Sequence, residues 1–146
     1  MYQFRREDMR EIETIFQRLT PERIIFISDS CYSGATAGRT FATASRRAVV
    51  SETFLNRLSK GKGRIVLSAS KASEVSEERE ELGHGVFTYY LLEGLRGKAD
   101  ADKDGIVTVD EAYGYVSKKV PEVTGQNQHP VKKGEVEGQL VIGQVR

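Results

Sequence analysis

The single cysteine of this chain, Cys31, lies at the start of a loop whose composition suits nucleophilic chemistry. The apolar, β-branched run at 24–27 predicts a buried strand, and Asp-Ser-Cys-Tyr-Ser-Gly follows it at 29–34. Binding and active sites of open α/β sheets lie just beyond the carboxyl ends of such strands. The neighbouring serines and glycine favour a tight, exposed loop over a packed core. Cys31 is therefore a candidate nucleophile, and the alternative is an inert, buried cysteine.

Activation of this cysteine needs a partner that the local sequence does not offer. A thiol becomes a thiolate near neutral pH only beside a base or a positive charge. No histidine precedes Cys31, and the sequence has two histidines, His84 and His129. His84, in a His-Gly pair before an apolar segment, is interpreted as a turn residue, and His129, in a polar loop, as incidental. The activating base must therefore come from elsewhere in space.

A second chemical pattern, at 100–111, matches the calcium-binding loop of an EF-hand at every key position. Gly105 permits the sharp turn of such a loop. A set of about seven oxygens suits Ca²⁺ better than the smaller Mg²⁺, so calcium is the expected cofactor, with no organic cofactor. The alternative is an acidic turn that binds no metal. The candidate ligands are Asp100, Asp102, Asp104, the backbone carbonyl of Ile106, Thr108 near the water-bridged position, and Glu111.

The elements that must position these residues alternate between helices and strands. The patterns predict helices at 6–19, 52–58, 86–95 and 110–120, and strands at 23–28, 48–50, 64–69 and 139–142. Pro21, Gly97 and Pro121 are expected to end the first, third and fourth helices. Small, polar and basic residues at 35–47 predict an exposed, mobile loop. A helix followed closely by a strand suggests a parallel α/β sheet.

Composition limits the classes of function. A length of 146 residues fits one domain with a real core. The charged fraction is 29% but the net charge is only +1, so neither a nucleic-acid nor a membrane partner is expected. We find no run long enough to span a membrane and no signal-peptide pattern. One cysteine excludes an internal disulfide and suits a reducing compartment, so we expect a cytoplasmic protein.

Two sequence blocks together resemble the caspase and metacaspase clan of cysteine peptidases, particularly its bacterial caspase-like branch. The first block is the Cys31 loop at 29–34, and the second runs from Leu-Ser-Ala-Ser at 67–70 through the His-Gly-Val-Phe-Thr segment up to residue 95. The resemblance implies an α/β fold, a caspase-like three-layer sandwich with a mostly parallel sheet flanked by helices. Segment 1–47 would end the large-subunit-like part, and 48–146 would form the small-subunit-like part.

The resemblance also assigns roles to individual residues. Cys31 would be the nucleophile, with its own backbone N–H and that of Gly34 as candidate oxyanion donors. Asp29 would line the primary specificity pocket, where its carboxylate would form a charge-assisted hydrogen bond with an Arg or Lys side chain of the substrate. Either Glu77 or Glu78 falls near the position of a second pocket acid. The alternative for Asp29 is a residue that caps the turn after its strand.

The chain departs from the family pattern at the general base. The caspase analogy expects a histidine about 50 residues before the cysteine, and none is present there. The chain therefore looks like the C-terminal portion of a caspase-like domain that lacks its first strands. We expect the N-terminal half, as a companion chain or precursor segment, to cover the exposed sheet edge and supply the histidine. Alone, the chain should be inactive or nearly so.

These observations lead to one preferred function and two alternatives. The preferred function is a cysteine endopeptidase domain, modulated by calcium, that cleaves peptides or proteins after Arg or Lys. The alternatives are an inactive caspase-like subunit with a regulatory or interaction role, and a calcium-binding module with an incidental cysteine. Such an enzyme could also cut itself after Arg39, Arg46 or Arg47 in the 35–47 loop, which is otherwise a solvated basic loop.

Overall fold

The computed structural model describes residues 6–29, 52–74 and 76–145 of the chain. Its helices are α1 (Arg6–Arg18), α2 (Glu52–Leu58), α3 (Val86–Glu93) and α4 (Val109–Val123). Its strands are β1 (Ile24–Ser28), β2 (Arg64–Ser68), β3 (Glu78–Arg79), β4 (His84–Gly85), β5 (Ile106–Thr108), β6 (Val131–Lys133) and β7 (Val141–Gln144). The α/β class predicted from the sequence is confirmed.

The central sheet has the strand order β1-β2-β6. β1 and β2 are parallel along their whole length, from the pair Ile24 and Arg64 to the pair Ser28 and Ser68. β6 runs antiparallel to β2, so the described sheet is mixed. The parallel pair puts the carboxyl ends of β1 and β2 side by side, which brings Asp29 next to the segment after Ser68.

Side chains of the central sheet alternate between two hydrophobic clusters, because successive residues of a strand point to opposite faces. Val66 packs with α1 and α2, in a cluster that includes Phe16, Phe54 and Leu58. Its neighbours in β2 point the other way, towards α3 and α4. Each of these β2 side chains, from Ile65 to Leu67, is only 1% exposed. β2 is therefore the strand that joins the two clusters.

Two short antiparallel pairs complete the fold. β3 and β4 form a small hairpin, closed by a 3-10 turn at Glu80–Leu82 and by Gly83 with a φ of 68°. β5 pairs with β7, with an irregularity between Val107 and Thr108. The hairpin leads into α3 and the second pair follows the acidic segment, so each candidate site lies beside one of these pairs.

The turn Gly94–Lys98 continues α3 beyond Glu93, and the helical backbone breaks at Gly97, whose φ of 120° is non-helical, so Gly97 ends this helix as predicted. Other helix and strand ends differ from the predictions in two places. Pro121 does not end α4, which runs on to Val123. A proline near the last turn removes only one backbone donor, and its fixed φ is compatible with a helix, so the expected stop is wrong. The last strand lies two residues later than predicted, because its pairing with β5 sets its position.

Several predictions fall outside the described residues. The predicted strand at 48–50 and the predicted loop at 35–47 lie there, as do Cys31, Gly34, Arg39, Arg46 and Arg47. Within the described ranges, the helices are all too short or too polar to cross a membrane.

Candidate functional site

Asp29 follows the last residue of β1, and the start of α3 holds its carboxylate. The Thr88 hydroxyl donates a hydrogen bond to the Oδ2 atom of Asp29. Gly85, the last residue of β4, packs against the same oxygen so closely that a Cβ added there would lie 2.7 Å from Oδ2. A side chain at position 85 would therefore displace the carboxylate. Contacts with Thr88 and Gly85, both far from Asp29 in the chain, therefore hold its carboxylate.

The second oxygen of Asp29 is buried and has no hydrogen-bond partner among the described residues. Buried polar atoms in proteins are almost always paired, so an unpaired carboxylate oxygen is costly unless a ligand or another group satisfies it. Thr88 donates to Oδ2, so among the described residues Oδ1 is the carboxylate oxygen without a donor. A guanidinium or ammonium group is the donor that a carboxylate binds most strongly.

The two alternatives for a second pocket acid, Glu77 and Glu78, lie immediately before and at the start of β3, but their surroundings differ. Glu78 is exposed and pairs across the hairpin with Gly85, the residue that contacts Asp29. Glu77 is anchored through its backbone: its N–H donates to Gln128 Oε1 at 2.8 Å, and its carbonyl accepts from Val86 N at 2.9 Å. Its carboxylate faces Arg79 at 3.5 Å. Glu78 thus pairs with a residue that contacts Asp29, whereas the Glu77 carboxylate lies opposite Arg79.

Each histidine has a different environment. His129 is held by Glu74: its backbone N–H donates to Oε2 at 2.7 Å, and its ring Nδ1 lies 2.9 Å from Oε1. Because both oxygens of the Glu74 carboxylate bind His129, the contacts support a structural role for this histidine. His84 is exposed in β4, where it pairs with Arg79.

Sequence reasoning missed Thr88, Gly85 and Gln128 as contributors to this region. Thr88 is a polar residue in the helix predicted from an apolar segment at 86–95, and Gln128 precedes His129 in the predicted polar loop. Gln128 is in fact fully buried, with an exposure of 0%. Neither contact has a local sequence signal, since Thr88 meets a residue 59 positions away in the chain.

The acidic segment forms a compact turn that gathers three carboxylates. Oxygens of Asp100, Asp102 and Asp104 lie within 4.8 Å of one another. Asp100 Oδ2 accepts from the Gly105 N–H at 3.1 Å, and the φ of 83° at Gly105 provides the predicted sharp turn. The other oxygen of Asp100, Oδ1, is buried and unpaired within the described residues. These donors fit a hard cation such as Ca²⁺.

The remaining predicted ligands of this segment take part in local structure. Thr108 caps α4: its hydroxyl accepts from the Glu111 N–H at 3.2 Å and donates to Glu111 Oε2 at 2.8 Å. The Glu111 carboxylate also accepts from the backbone of Thr108 and of Ala101, and these hydrogen bonds lower its pKa. Ile106 pairs with Gln144 in the β5–β7 pair. A bidentate Glu111 ligand would therefore have to give up its capping bonds.

Comparison with known protein families identifies one match. The family model described as the caspase domain matches residues 4–139, which is well over half of the chain. No curated protein and no solved structure matches the chain. The matched range includes the Cys31 loop, Asp29 and the segment at 100–111.

Proposed function

The chain belongs to the caspase domain family of cysteine peptidases, and from this premise we propose that it is an endopeptidase that cleaves after arginine or lysine. One observation carries the proposed specificity: the Asp29 carboxylate, with one oxygen fixed by Thr88 and the other buried and unpaired among the described residues. A buried carboxylate binds a cationic substrate side chain through a charge-assisted hydrogen bond, and it binds a neutral side chain more weakly. The exposed Glu78 beside Gly85 adds negative charge to the same region.

In the proposed mechanism, the Cys31 thiolate attacks the carbonyl carbon of the scissile bond. Backbone N–H groups of Cys31 and Gly34 stabilise the oxyanion, and an imidazole protonates the leaving amine. We assign that imidazole to residues outside this chain, because His129 is engaged by Glu74 and no histidine precedes Cys31. The N-terminal half of the same domain would supply it and complete a three-layer sandwich.

Cleavage of a fluorogenic peptide that ends in arginine tests this function. We expect cleavage when the chain is combined with the N-terminal half of its domain, and none with Cys31→Ala. Asp29→Asn should reduce kcat/KM by roughly 10- to 100-fold, since one charge-assisted hydrogen bond is lost. Asp110→Asn, an exposed change at the start of α4, is the matched control. Equal cleavage of arginine and alanine peptides would contradict the basic specificity.

Assay of the chain without the companion half separates the enzyme from an inactive subunit. Cysteine-dependent cleavage by the chain alone would assign the base to this chain, with the exposed His84 as the first residue to replace. Absence of cleavage even with the companion half would favour the regulatory or interaction subunit. Under the same conditions, mass spectrometry should find cuts after Arg39, Arg46 or Arg47 if the domain processes itself.

The three aspartates of segment 100–111 support calcium binding as a second property. The buried Oδ1 of Asp100, which has no hydrogen-bond partner in the described part of the chain, is the observation that favours it over a solvated acidic turn. Asp100, Asp102 and Asp104 would hold the ion, which would neutralise carboxylates that otherwise repel one another. A ligand that binds only the folded state raises its stability in proportion to ln(1 + [L]/Kd).

Thermal unfolding with and without calcium tests this second property. We expect millimolar Ca²⁺ to raise Tm and Asp104→Ala to abolish the rise, because one of the three carboxylates is removed. The matched control is again Asp110→Asn, whose carboxylate lies outside the cluster and should leave the calcium effect intact. A Tm that does not change with calcium in the unmodified chain would contradict the site.

A further inference from the structure

Gln128 is a fully buried polar residue whose side chain bridges two separate backbone segments. Its Nε2 donates to the carbonyl of Ala69 at 2.8 Å, and its Oε1 accepts from the N–H of Glu77 at 2.8 Å. An amide has a donor and an acceptor at one end of a short stem, so it can satisfy both groups at once. Gln128 thus joins the two ends of the connection between β2 and β3.

Each of these ends also contacts the surroundings of Asp29. On one side, the N–H of Ala69 donates to the carbonyl of Ser28 at 2.9 Å, and Ser28 directly precedes Asp29. On the other side, the Glu77 carbonyl accepts from the N–H of Val86 at 2.9 Å, at the first residue of α3. α3 then returns to Asp29 through Thr88.

The contacts form a closed ring that begins and ends at Asp29. In order, the ring passes through Ser28, Ala69, Gln128, Glu77, Val86 and Thr88. Gln128 lies far from Asp29 in the chain, and its side-chain amide makes both hydrogen bonds by which it takes part in the ring. The backbone of Gln128 is fixed in turn, since its N–H donates to Thr124 Oγ1 at 3.2 Å, beyond the end of α4.

We propose that Gln128 is a positioning residue for the substrate pocket: it holds the start of α3 against Asp29 by tying Glu77 to Ala69. The inference rests on the proposed basic pocket at Asp29 and adds to it a residue that touches no substrate. Loss of the amide would leave the Glu77 N–H and the Ala69 carbonyl unpaired. The start of α3 would then move relative to β1, and Thr88 would no longer fix the Asp29 carboxylate.

Two measurements on the intact chain test this role, and neither requires catalysis. Benzamidine, a cationic probe of the pocket, is titrated while its Kd is measured by calorimetry, with neutral benzamide as the reference. Hydrogen exchange of the Val86 amide is followed by NMR and normalised to the amide of Val116, which lies in the core and reports global unfolding. Gln128→Met removes both hydrogen bonds at nearly constant volume, and Leu58→Ala destabilises the core on the other face of the sheet.

For Gln128→Met we expect benzamidine to bind at least tenfold more weakly and the Val86 amide to exchange at least tenfold faster relative to Val116. Leu58→Ala, studied where it is fully folded, should change neither quantity. If Gln128→Met does not fold, Thr124→Val serves in its place, because it removes the hydroxyl that holds the Gln128 backbone. Changes of the same size in Leu58→Ala, or none in the Gln128 or Thr124 variant, would overturn the positioning role.

A wild-type chain that fails to bind benzamidine would count against the basic pocket rather than against Gln128. The Val86 amide then decides the positioning role alone. Faster relative exchange in Gln128→Met would support the link from Gln128 to the start of α3, and unchanged exchange would overturn it.

Discussion

At the scale of single residues, the position of the Asp29 carboxylate depends on a close contact with Gly85. Gly85 has an ordinary backbone conformation, with a φ of −56°, so an alanine there would be free of backbone strain. The constraint comes from Asp29 Oδ2, which would lie 2.7 Å from the new Cβ. The absence of a side chain at position 85 is therefore a requirement of the carboxylate.

Gly85→Ala should therefore destabilise the fold, by about 1–3 kcal/mol as is usual for overpacking, and should also weaken benzamidine binding. The matched control is Gly114→Ala in α4, where an added Cβ meets no atom within 4 Å. That control should stabilise the chain by about 0.5–1 kcal/mol, the usual gain of alanine over glycine in a helix. Urea unfolding of both variants measures the difference, and a neutral Gly85→Ala would contradict the close contact.

At the scale of elements, the pairing of His129 with Glu74 fastens the segment before β6 to the turn after β2. Burial raises the pKa of Glu74, but hydrogen bonds from the backbone and ring of His129 and the backbone of Lys71 outweigh it and lower the pKa below its ordinary value of 4.5. A carboxylate whose pKa is depressed by folding stabilises the fold above its unfolded pKa. That contribution is lost as the pH falls through the lower, folded value.

We therefore expect Glu74→Gln to lower the free energy of unfolding at pH 7 and to reduce its decline between about pH 5 and pH 3. Glu81→Gln, an exposed change in the 3-10 turn, is the control that should leave this decline nearly unchanged. Urea unfolding at a series of pH values gives both quantities. An identical pH dependence in Glu74→Gln and the unmodified chain would show that the carboxylate contributes nothing.

Elements that depend on local signals could be predicted, whereas those that depend on pairing could not. Helical spacing and a β-branched run were enough to predict α1, α2 and β1 to within a residue or so. The position of β7 was missed because β5 determines it, through backbone bonds between residues far apart in the chain. The same holds for the site: Asp29 has a strand-end signal, but its contact with Thr88 arises only from tertiary packing.

At the scale of the whole molecule, β2 contributes side chains to both hydrophobic clusters, so we expect the two clusters to unfold as one cooperative unit. Val66 belongs to the α1–α2 cluster, while its neighbours Ile65 and Leu67 belong to the α3–α4 cluster. Loss of one cluster would expose alternate side chains of the same strand, so the other cluster could not stay packed. Stability should therefore be a property of both faces together.

Leu58→Ala tests this cooperativity, because Leu58 is 1% exposed and lies in the α1–α2 cluster. We expect a loss of about 2–5 kcal/mol, as for other buried leucines. The described tyrosines, Tyr89, Tyr90, Tyr113 and Tyr115, lie on α3 and α4, and the chain has no tryptophan, so tyrosine fluorescence mainly reports the opposite face. Urea transitions by fluorescence and by far-UV circular dichroism should shift together, as two-state unfolding requires. A fluorescence midpoint that stays in place while the dichroism transition moves would show that the two faces unfold independently.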